Sequence, residues 1–386
     1  MSNADRPRIV LVSIGMYGQK YLAEATEKNV GGDVVGIVDV APGLEEKFPV
    51  IREKAIPVYT SLASFFARDR ADLAVISSPI HLHAQMVLEC LKNGANVLCE
   101  KPLCLTEEET ETMAKAAKAA KAAGRFLSLG WQLNYDRAVL KLKRDILSGR
   151  FGAPRQFKCL HAMRRGENYY ARSNWAGKIT VDGREVLDSP FMNACAHHFQ
   201  LMTFLLGKEM DRAALPKEVQ GELFRGNPTV ENYDIAALRF TLENDATLCY
   251  YTAHPLKTKN LGQMGVGQFE HGTLTWGKGQ PFRVVTDTGE EILYGMDGET
   301  PFMQKLYDAV DCVKGGGAPL CGPYAGLGHL RAVKMAQALP VCNIAPEHIE
   351  WIEEAGDRFP CVENLEKVFQ ACFEGGALPR ELGLSL

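Results

Sequence analysis

The sequence has no tract rich in lysine and arginine, and its formal net charge is −4 over 386 residues. Proteins that bind nucleic acids usually carry a basic stripe or patch, so we expect no nucleic-acid partner. Also absent are an apolar run long enough to span a bilayer and a charged N-terminal segment followed by an apolar core. We therefore expect no membrane partner and a cytoplasmic location.

Clustered cysteines are missing as well. The eleven cysteines are scattered from Cys90 to Cys372, and none belongs to a C-x-x-C pair. Zinc sites and disulfide frameworks need clustered or paired cysteines, so the sequence predicts neither, and we expect no metal. Cys195 lies among the candidate site residues, but a packed thiol is the better interpretation.

The chain is long enough for two domains, because one hydrophobic core seldom serves this many residues. Up to residue 131, short β-branched runs alternate with helical patterns, which specifies an α/β domain with a doubly wound parallel sheet. From residue 132 to 386 the strands are longer and are joined by short turns. Such turns indicate hairpins, so we expect a second, α+β domain with a mostly antiparallel sheet and, from about Pro346, a helical tail.

A glycine-containing turn joins the first predicted strand to the first helix. Residues 13–18 read S-I-G-M-Y-G, where the dinucleotide fingerprint G-x-G-x-x-G has Ser13 in place of its first glycine. Gly15 would let the backbone approach a pyrophosphate, and Gly18 would let helix and strand pack closely. An ordinary βα turn is the alternative.

Asp39 strengthens the dinucleotide interpretation. It ends the second predicted strand about 20 residues after the glycines, where a carboxylate accepts hydrogen bonds from ribose hydroxyls. The following Val40 and Ala41 offer no cation for a 2′-phosphate, which Asp39 would also repel. The expected cofactor is therefore NAD rather than NADP.

Two further segments follow predicted strands, at the strand ends where doubly wound sheets bind ligands. Ser77-Ser78-Pro79 precedes His83 at the start of a helix, and a plain turn with a surface histidine is equally consistent. Glu100-Lys101-Pro102 follows the strand that ends at Cys99. A partly desolvated lysine there could exchange a proton with a substrate hydroxyl, while a solvated Glu-Lys pair is the alternative.

These motifs occur in the order and spacing of one family. The chain resembles the glucose–fructose oxidoreductase and inositol dehydrogenase family (Gfo/Idh/MocA), strongly over residues 8–152 and traceably to about Gln337; its most specific element is E-K-P after V-L-C. The resemblance implies a Rossmann domain followed by an open-faced, largely antiparallel sheet. It places at the cofactor Gly15, Met16, Tyr17, Gly18, Asp39, Ser77, Ser78, Pro79, His83, Glu100, Lys101 and Gln132. The lysine matching Lys101 contacts substrate and nicotinamide ribose in that family.

The second family signature, D-x-x-x-H on a helix, resembles residues 193–197 with Asn193 in place of the aspartate. The four-residue spacing predicts that Asn193 and His197 share one helix face. An amide can orient a hydroxyl but cannot exchange protons, so His197 is the expected general base; a core histidine is the alternative. We therefore expect Lys101, His197 and Asn193 at the reaction centre.

Other residues are weaker candidates for the substrate pocket. Trp175 could stack on a ring, although a loop tryptophan that packs on its own domain is equally consistent. Tyr169, which precedes Tyr170, is a further pocket candidate. The substrate candidates are Tyr170, Arg172, Trp175, Asp188 and His198.

The sequence thus predicts an NAD(P)-dependent dehydrogenase that acts on a secondary alcohol or ketone of a sugar, sugar acid or cyclitol. A dinucleotide-binding sensor without turnover is the alternative, favoured by the change to Asn193. An assembly protein that uses only its sheet is a third possibility. Because a large apolar sheet face seldom stays solvated, we expect a homo-oligomer, dimer or tetramer, through the C-terminal sheet.

Overall fold

The computed structural model describes residues 6–296 and 299–384. Its strands are β1 (Arg8–Val12), β2 (Asp33–Val38), β3 (Val58–Tyr59), β4 (Leu73–Ile76), β5 (Asn96–Cys99), β6 (Leu127–Leu129), β7 (Pro154–Met163), β8 (Thr180–Val181), β9 (Arg184–Glu185), β10 (Pro216–Arg225), β11 (Ile235–Leu242), β12 (Thr247–Ala253), β13 (Asn260–Phe269), β14 (Gly272–Gly277), β15 (Gln280–Thr286), β16 (Glu291–Met296), β17 (Val341–Asn343), β18 (Ile349–Glu354) and β19 (Asp357–Val362). Its α-helices are α1 (Gly18–Glu27), α2 (Leu44–Lys47), α3 (Val50–Glu53), α4 (Leu62–Phe66), α5 (His83–Lys92), α6 (Glu107–Lys121), α7 (Arg137–Leu147), α8 (Glu167–Ala171), α9 (Ala196–Leu205), α10 (Gln304–Gly315), α11 (Leu327–Gln337) and α12 (Leu365–Gly375). No described helix combines the length and apolarity that a membrane span requires.

The chain divides into two compact units. The first comprises Met1–Tyr135 and Thr300–Gly326, and the second Asp136–Glu299 and Leu327–Leu386. The sequence pattern placed a single boundary after residue 131. In the structure, residues Thr300–Gly326 also belong to the first unit. The reason is that apolar side chains of α10, including Leu306 and Val310, lie in the same core as Ile9 and Leu11 of β1.

The first unit contains a six-stranded sheet in the order β3-β2-β1-β4-β5-β6. All of its neighbouring strands are parallel, and β4, β5 and β6 are buried along their whole length. Parallel strands place their carboxyl ends at one edge, and the order reverses between β1 and β4, which is where such sheets bind ligands. The doubly wound sheet predicted from the alternation is confirmed.

The second unit contains a nine-stranded sheet in the order β16-β15-β14-β13-β7-β12-β11-β10-β17. The β7–β12 and β10–β17 pairs are parallel and the other pairs are antiparallel, as the short turns predicted. On one face, Phe191 and Phe199 of the α9 region pack on Phe240 and Tyr250 of the sheet.

The opposite face of this sheet differs in one respect from the expected open face. Over β7, β11 and β12 it is covered by α12, whose Leu365, Val368 and Phe369 pack on side chains such as Leu160 and Tyr251. The apolar face is therefore buried within the chain at these strands. The physical reason is the apolar stripe of α12, which supplies a cover that a partner subunit would otherwise have to provide.

The segment from Pro346 is not wholly helical, contrary to the sequence prediction. It begins with an antiparallel hairpin of β18 and β19, and α12 follows. The hairpin turn places Ala355 and Gly356 at positive φ, 51° and 76°, which is the geometry of a tight two-residue hairpin. The β-branched and aromatic residues Ile349, Trp351 and Ile352 favour this strand conformation.

Candidate active site

The predicted glycine turn has a conformation suited to a nucleotide phosphate. Ser13 and Met16 adopt positive φ values of 63° and 42°, so Ser13 itself takes the left-handed backbone that the fingerprint assigns to glycine. A Cβ on Gly18 would lie 2.0 Å from the Ser13 carbonyl oxygen, which explains the glycine there. At Gly15 a Cβ would meet no described atom within 4 Å. Open space therefore lies over the turn at Gly15.

Asp39 lies beside this turn at the end of β2. Its Oδ2 accepts a hydrogen bond from Ile14 N at 2.8 Å, and its Oδ1 accepts one from Ala41 N at 2.9 Å. The carboxylate is therefore held in place while each oxygen keeps a lone pair. Val40, the next residue, has a relative solvent exposure of 81%.

The segment after β4 joins two loops of the same sheet edge. Ser77 Oγ donates to Ser13 O at 2.7 Å. The buried His83 ring contacts Ser78 O through Nε2 at 2.8 Å and Pro102 O through Nδ1 at 3.0 Å. Burial lowers the pKa of His83, so this neutral ring has a structural role in spacing the two loops. The Ser78 Oγ is buried and has no hydrogen-bond partner within residues 6–296 and 299–384.

Glu100 of the E-K-P motif is held by residues that the sequence did not single out. Its Oε1 accepts from Tyr21 OH at 2.6 Å and pairs with Lys305 Nζ, which also contacts Tyr17 OH at 3.0 Å and Gly130 O at 3.1 Å. Side-chain exposure is 1% for Lys305 and 8% for Glu100, so this is a buried ion pair. Burial lowers the pKa of Lys305, and the charge of Glu100 opposes that shift. No local sequence signal connects residues 205 positions apart.

Lys101 follows this buried pair. Its side chain is half-buried, its amide donates to Glu100 Oε2 at 3.1 Å, and its bond to Pro102 is cis. Gln132 begins a 3₁₀ turn after β6 and is half-buried. Pro79 is exposed at the same sheet edge.

The first unit fits a dinucleotide. The space over Gly15 and the N-terminus of α1 suit a pyrophosphate, Asp39 can accept from a ribose, and the unpartnered Ser78 hydroxyl can donate to a ligand. All the predicted cofactor residues lie after β1, β2, β4, β5 or β6, and hence at one edge of the sheet.

In the second unit, the helix predicted over Asn193 and His197 is interrupted between the two residues. Residues Pro190–Ala194 form a π-helical turn, with Cys195 N bonded to Pro190 O at 2.8 Å, and α9 begins only at Ala196. Asn193 and His197 thus belong to different helical segments. Within residues 190–205, however, Asn193, Ala194 and His197 are the three that are not buried, so the two polar side chains are both partly accessible.

Asp188 holds the Asn193 amide. Asn193 Nδ2 donates to Asp188 Oδ1 at 2.9 Å, and Gly177 N donates to Asp188 Oδ2 at 2.7 Å. The bond to Nδ2 orients the amide and makes Oδ1 its acceptor atom. Asp188 is buried, so the structure gives it contacts that position Asn193 and the loop at Gly177.

Several buried histidines accompany this turn. His198 lies 4.7 Å from His161 between ring centroids and accepts a hydrogen bond from Trp276 Nε1 at 3.4 Å. Burial lowers the pKa of His198 to about 4 and the pKa of His161 well below its usual value. His198, predicted to contact substrate, is thus a buried neutral residue. No sequence signal singled out His161, which lies against His198 of α9, or His254, which lies against Tyr170 of α8.

Tyr170 and Arg172, two of the substrate candidates, belong to one aromatic cluster with Trp175. Tyr170 OH shares a hydrogen bond with His254 Nδ1 at 2.8 Å, and Tyr169 lies 5.3 Å from the same ring. The Arg172 guanidinium lies 3.5 Å from the Tyr169 ring centroid and 4.9 Å from that of Trp175. Trp175 therefore packs on its own unit through Arg172 and stays partly exposed.

The parallel sheet, the glycine turn and the acidic residue after β2 define a protein with a dinucleotide-binding Rossmann domain and a second α+β unit. The first unit matches the Gfo/Idh/MocA family of oxidoreductases. Residues 7–126 match the family described as an oxidoreductase family with an NAD-binding Rossmann fold. The family match expected from the motifs is confirmed over these residues.

Curated relatives include inositol 2-dehydrogenases. The chain is 31% identical to that of Pseudomonas savastanoi pv. phaseolicola over 165 residues, which is 42% of this chain and 48% of the relative. It is 23% identical to that of Burkholderia cenocepacia over 333 residues, 84% of this chain and 91% of the relative. The chain thus spans about half the length of the first relative and most of the second.

Solved structures share the fold of both units. The WlbA dehydrogenase from Bordetella pertussis, in complex with NADH and UDP-GlcNAcA, has a TM-score of 0.68 and 21% identity, over 87% of this chain and 99% of that chain. The myo-inositol 2-dehydrogenase from Lactobacillus plantarum has a TM-score of 0.66 and 18% identity, over 86% of this chain and 97% of that chain. At these identities the likeness shows the fold.

Proposed function

We propose that the protein is an NAD-dependent dehydrogenase that transfers hydride between the nicotinamide and a secondary alcohol of a sugar, sugar acid or cyclitol. The observation that carries the proposal is the placement of Lys101. It is half-buried beside the buried Glu100–Lys305 pair, at the same sheet edge as the open glycine turn and the Ser78 hydroxyl. The relatives named inositol 2-dehydrogenase support a polyhydroxylated substrate.

Each residue has a separate role in the proposal. When bound, the nicotinamide would supply the hydride chemistry, and Gly15, Gly18 and Asp39 would hold the cofactor. Lys101 donates a hydrogen bond to the reacting oxygen and stabilises negative charge on it, and His197 accepts the hydroxyl proton. Asn193, with its amide oriented by Asp188, presents its oxygen to a substrate hydroxyl.

We propose NAD as the cofactor because of the surroundings of Asp39. Its carboxylate would repel a 2′-phosphate, and the next two residues are Val40 and Ala41, which carry no charge to neutralise one. Fluorescence titration with NADH and NADPH tests this, and tighter binding of NADPH would contradict it.

The proposed activity is tested with a panel of sugars, sugar acids and cyclitols and NAD, followed at the nicotinamide absorbance. We expect turnover with at least one substrate, and a Lys101→Met variant slower by about 10²- to 10³-fold when both are measured at saturating NAD. Lys54→Met, an exposed lysine of the same unit, is the matched control. Parental activity in Lys101→Met would contradict the assigned role.

A sensor without turnover is the second candidate. It is favoured by Asn193, whose amide donates to Asp188 and cannot exchange protons. Protein that binds NADH but changes its absorbance with no member of the panel would support this candidate over the dehydrogenase.

A cytoplasmic homo-oligomer, dimer or tetramer, stays a prediction. Because α12 already buries the apolar side chains of β7, β11 and β12, we propose that subunits associate through the neighbouring strands β13 to β16 of the same sheet, where Leu293 is exposed. Sedimentation velocity at micromolar concentration tests this, and a monomer would contradict it.

A further inference from the structure

Two arginines of the second unit flank one tyrosine ring. The Arg172 guanidinium lies 3.5 Å from the Tyr169 ring centroid, and that of Arg165 lies 4.9 Å from it. Both arginines are half-buried, so their charges are partly withdrawn from water but remain accessible. Trp175 lies 4.9 Å from Arg172 and adds a second aromatic face to the group.

These two charges have no carboxylate partner within 4.0 Å in the part of the chain that the structure describes. Arg172 Nη1 donates to Tyr169 O at 2.5 Å, and Arg165 Nη1 donates to Arg164 O at 3.4 Å. Arg165 Nε is buried and has no hydrogen-bond partner among residues 6–296 and 299–384. Donors of two guanidiniums are therefore left for a ligand.

Two other arginines of the same unit are neutralised by carboxylates, and the partly buried Arg225 uses its donors on two backbone carbonyls and the Asn343 amide oxygen. Arg164 pairs with Glu354, and Arg239 pairs with Glu381. Burying a charge without an opposite charge is unfavourable, so proteins usually supply the partner from their own chain. The unneutralised state of Arg165 and Arg172 indicates that their partner is brought by a bound molecule.

The position of the arginines relates them to the candidate catalytic turn. Arg172 and Trp175 lie on the loop that ends at Gly177, whose amide donates to Asp188, and Asp188 in turn holds Asn193. Burial is the main cause of the lowered pKa of the neighbouring His254, and the charges of both arginines lower that pKa further. The positive group therefore lies in the same part of the second unit as the residues assigned to the substrate.

We propose that Arg165 and Arg172 form a subsite for an anionic group, a carboxylate or a phosphate, carried by the polyhydroxylated substrate. This inference rests on the proposed dehydrogenase function and narrows its substrate to acidic sugars. The planar guanidinium fork binds either anion through paired hydrogen bonds, and the Trp175 ring offers an apolar surface to the sugar. A neutral sugar would leave both charges without a partner.

Isothermal titration calorimetry of the full chain, saturated with NADH, tests the subsite. The probes are D-glucuronate for a carboxylate, D-glucose 6-phosphate for a phosphate, and D-glucose as the neutral match. We expect one of the two acids to bind more tightly than D-glucose, and the identity of that acid distinguishes the two anions.

Variants assign the binding to the arginines. Arg172→Met and Arg165→Met are each expected to weaken binding of the preferred acid by about 10- to 100-fold, the effect of a lost charged hydrogen bond, with binding of D-glucose unchanged. Arg184→Met, which changes an exposed arginine of β9, is expected to bind like the parent. If Arg172→Met melts early, Arg172→Lys, which keeps the charge, replaces it with a smaller expected loss.

The outcomes separate this proposal from the dehydrogenase proposal. Turnover of neutral polyols with no preference for either acid, in binding or in rate, would overturn the anionic subsite and leave the dehydrogenase intact. Acid binding that both arginine variants lose, without turnover of any probe, would support the subsite and overturn the dehydrogenase. Acid binding that neither variant changes would overturn the assignment to these residues.

Discussion

Lys305→Met removes one partner of the buried ion pair behind the E-K-P motif. Methionine has a similar length and fills the same space, but it removes the cation and leaves Tyr21 OH as a side-chain donor to the Glu100 carboxylate. Gly130 O also loses its contact with Lys305 Nζ. Because the pair is almost fully buried, solvent cannot replace the lost cation.

Removing one member of a buried pair typically destabilises a protein by about 3–5 kcal/mol, since the other charge stays buried without its partner. With a urea dependence of roughly 2–3 kcal/mol per M, the unfolding midpoint should fall by about 1–2 M. Neutralising the second charge in a Lys305→Met/Glu100→Gln double variant should recover most of this loss. Activity should also fall, because the Lys101 amide donates to Glu100 Oε2.

The assay is urea unfolding followed by circular dichroism, with hydrogen exchange of the peptides spanning β5 and β6 to report on the first unit separately. Two units need not unfold together, so the exchange data identify which transition has moved. Lys314→Met on the same helix is the control. Its side chain is 38% exposed and lies 3.7 Å from Asp311, so a change within about 0.5 kcal/mol is expected. A loss below about 1 kcal/mol in Lys305→Met, as for a surface pair, would refute the reasoning.

Three further predictions follow from separate features. Gly18→Ala should destabilise the first unit because its Cβ would lie 2.0 Å from a carbonyl oxygen, whereas Gly15→Ala should keep the parental melting temperature and lose NADH affinity in fluorescence titration. Burial lowers the pKa of His198 from 6.5 to about 4, so only the unfolded chain gains this proton as the pH falls through that window, and stability should drop by roughly 3 kcal/mol. His198→Gln should flatten that part of the urea midpoint profile, with exposed His348→Gln unchanged; equal slopes would contradict it. Asp357 accepts a hydrogen bond from the Asn168 amide in the first turn of α8, the helix that carries the substrate candidate Tyr170. Asp357→Ala should therefore raise KM more than it lowers kcat, and Asp357→Asn should restore KM in part. A parental KM in Asp357→Ala would contradict this.

Much of the first unit could be predicted because its signals are local. The helix expected to start at His83 is α5, His83–Lys92, and the strand expected to end at Cys99 is β5, Asn96–Cys99. Alternation of apolar runs, glycine at a close approach and an acidic residue after the second strand are properties of short segments. They were sufficient to predict the parallel sheet and the family match of residues 7–126, both of which are confirmed.

The second unit depended less on local pattern. The spacing of Asn193 and His197 is that of an α-helix, but the chain forms a π-helical turn and starts a new helix after it. The hairpin of β18 and β19 could not be predicted from its own residues, because short runs without regular alternation do not distinguish strand from helix. Helix α12 could be recognised as apolar, but the face that it covers could not be deduced from its own residues.

The sequence by itself determined where the strands of the first unit end, and therefore which residues gather at the edge where a dinucleotide can bind. Tertiary structure alone decided which charges are neutralised. Glu100 meets Lys305 across 205 positions, while Arg165 and Arg172 meet no carboxylate in the described chain. Charge pairing over such separations depends on how elements pack, because the sequence places no constraint on which distant side chains share a buried volume.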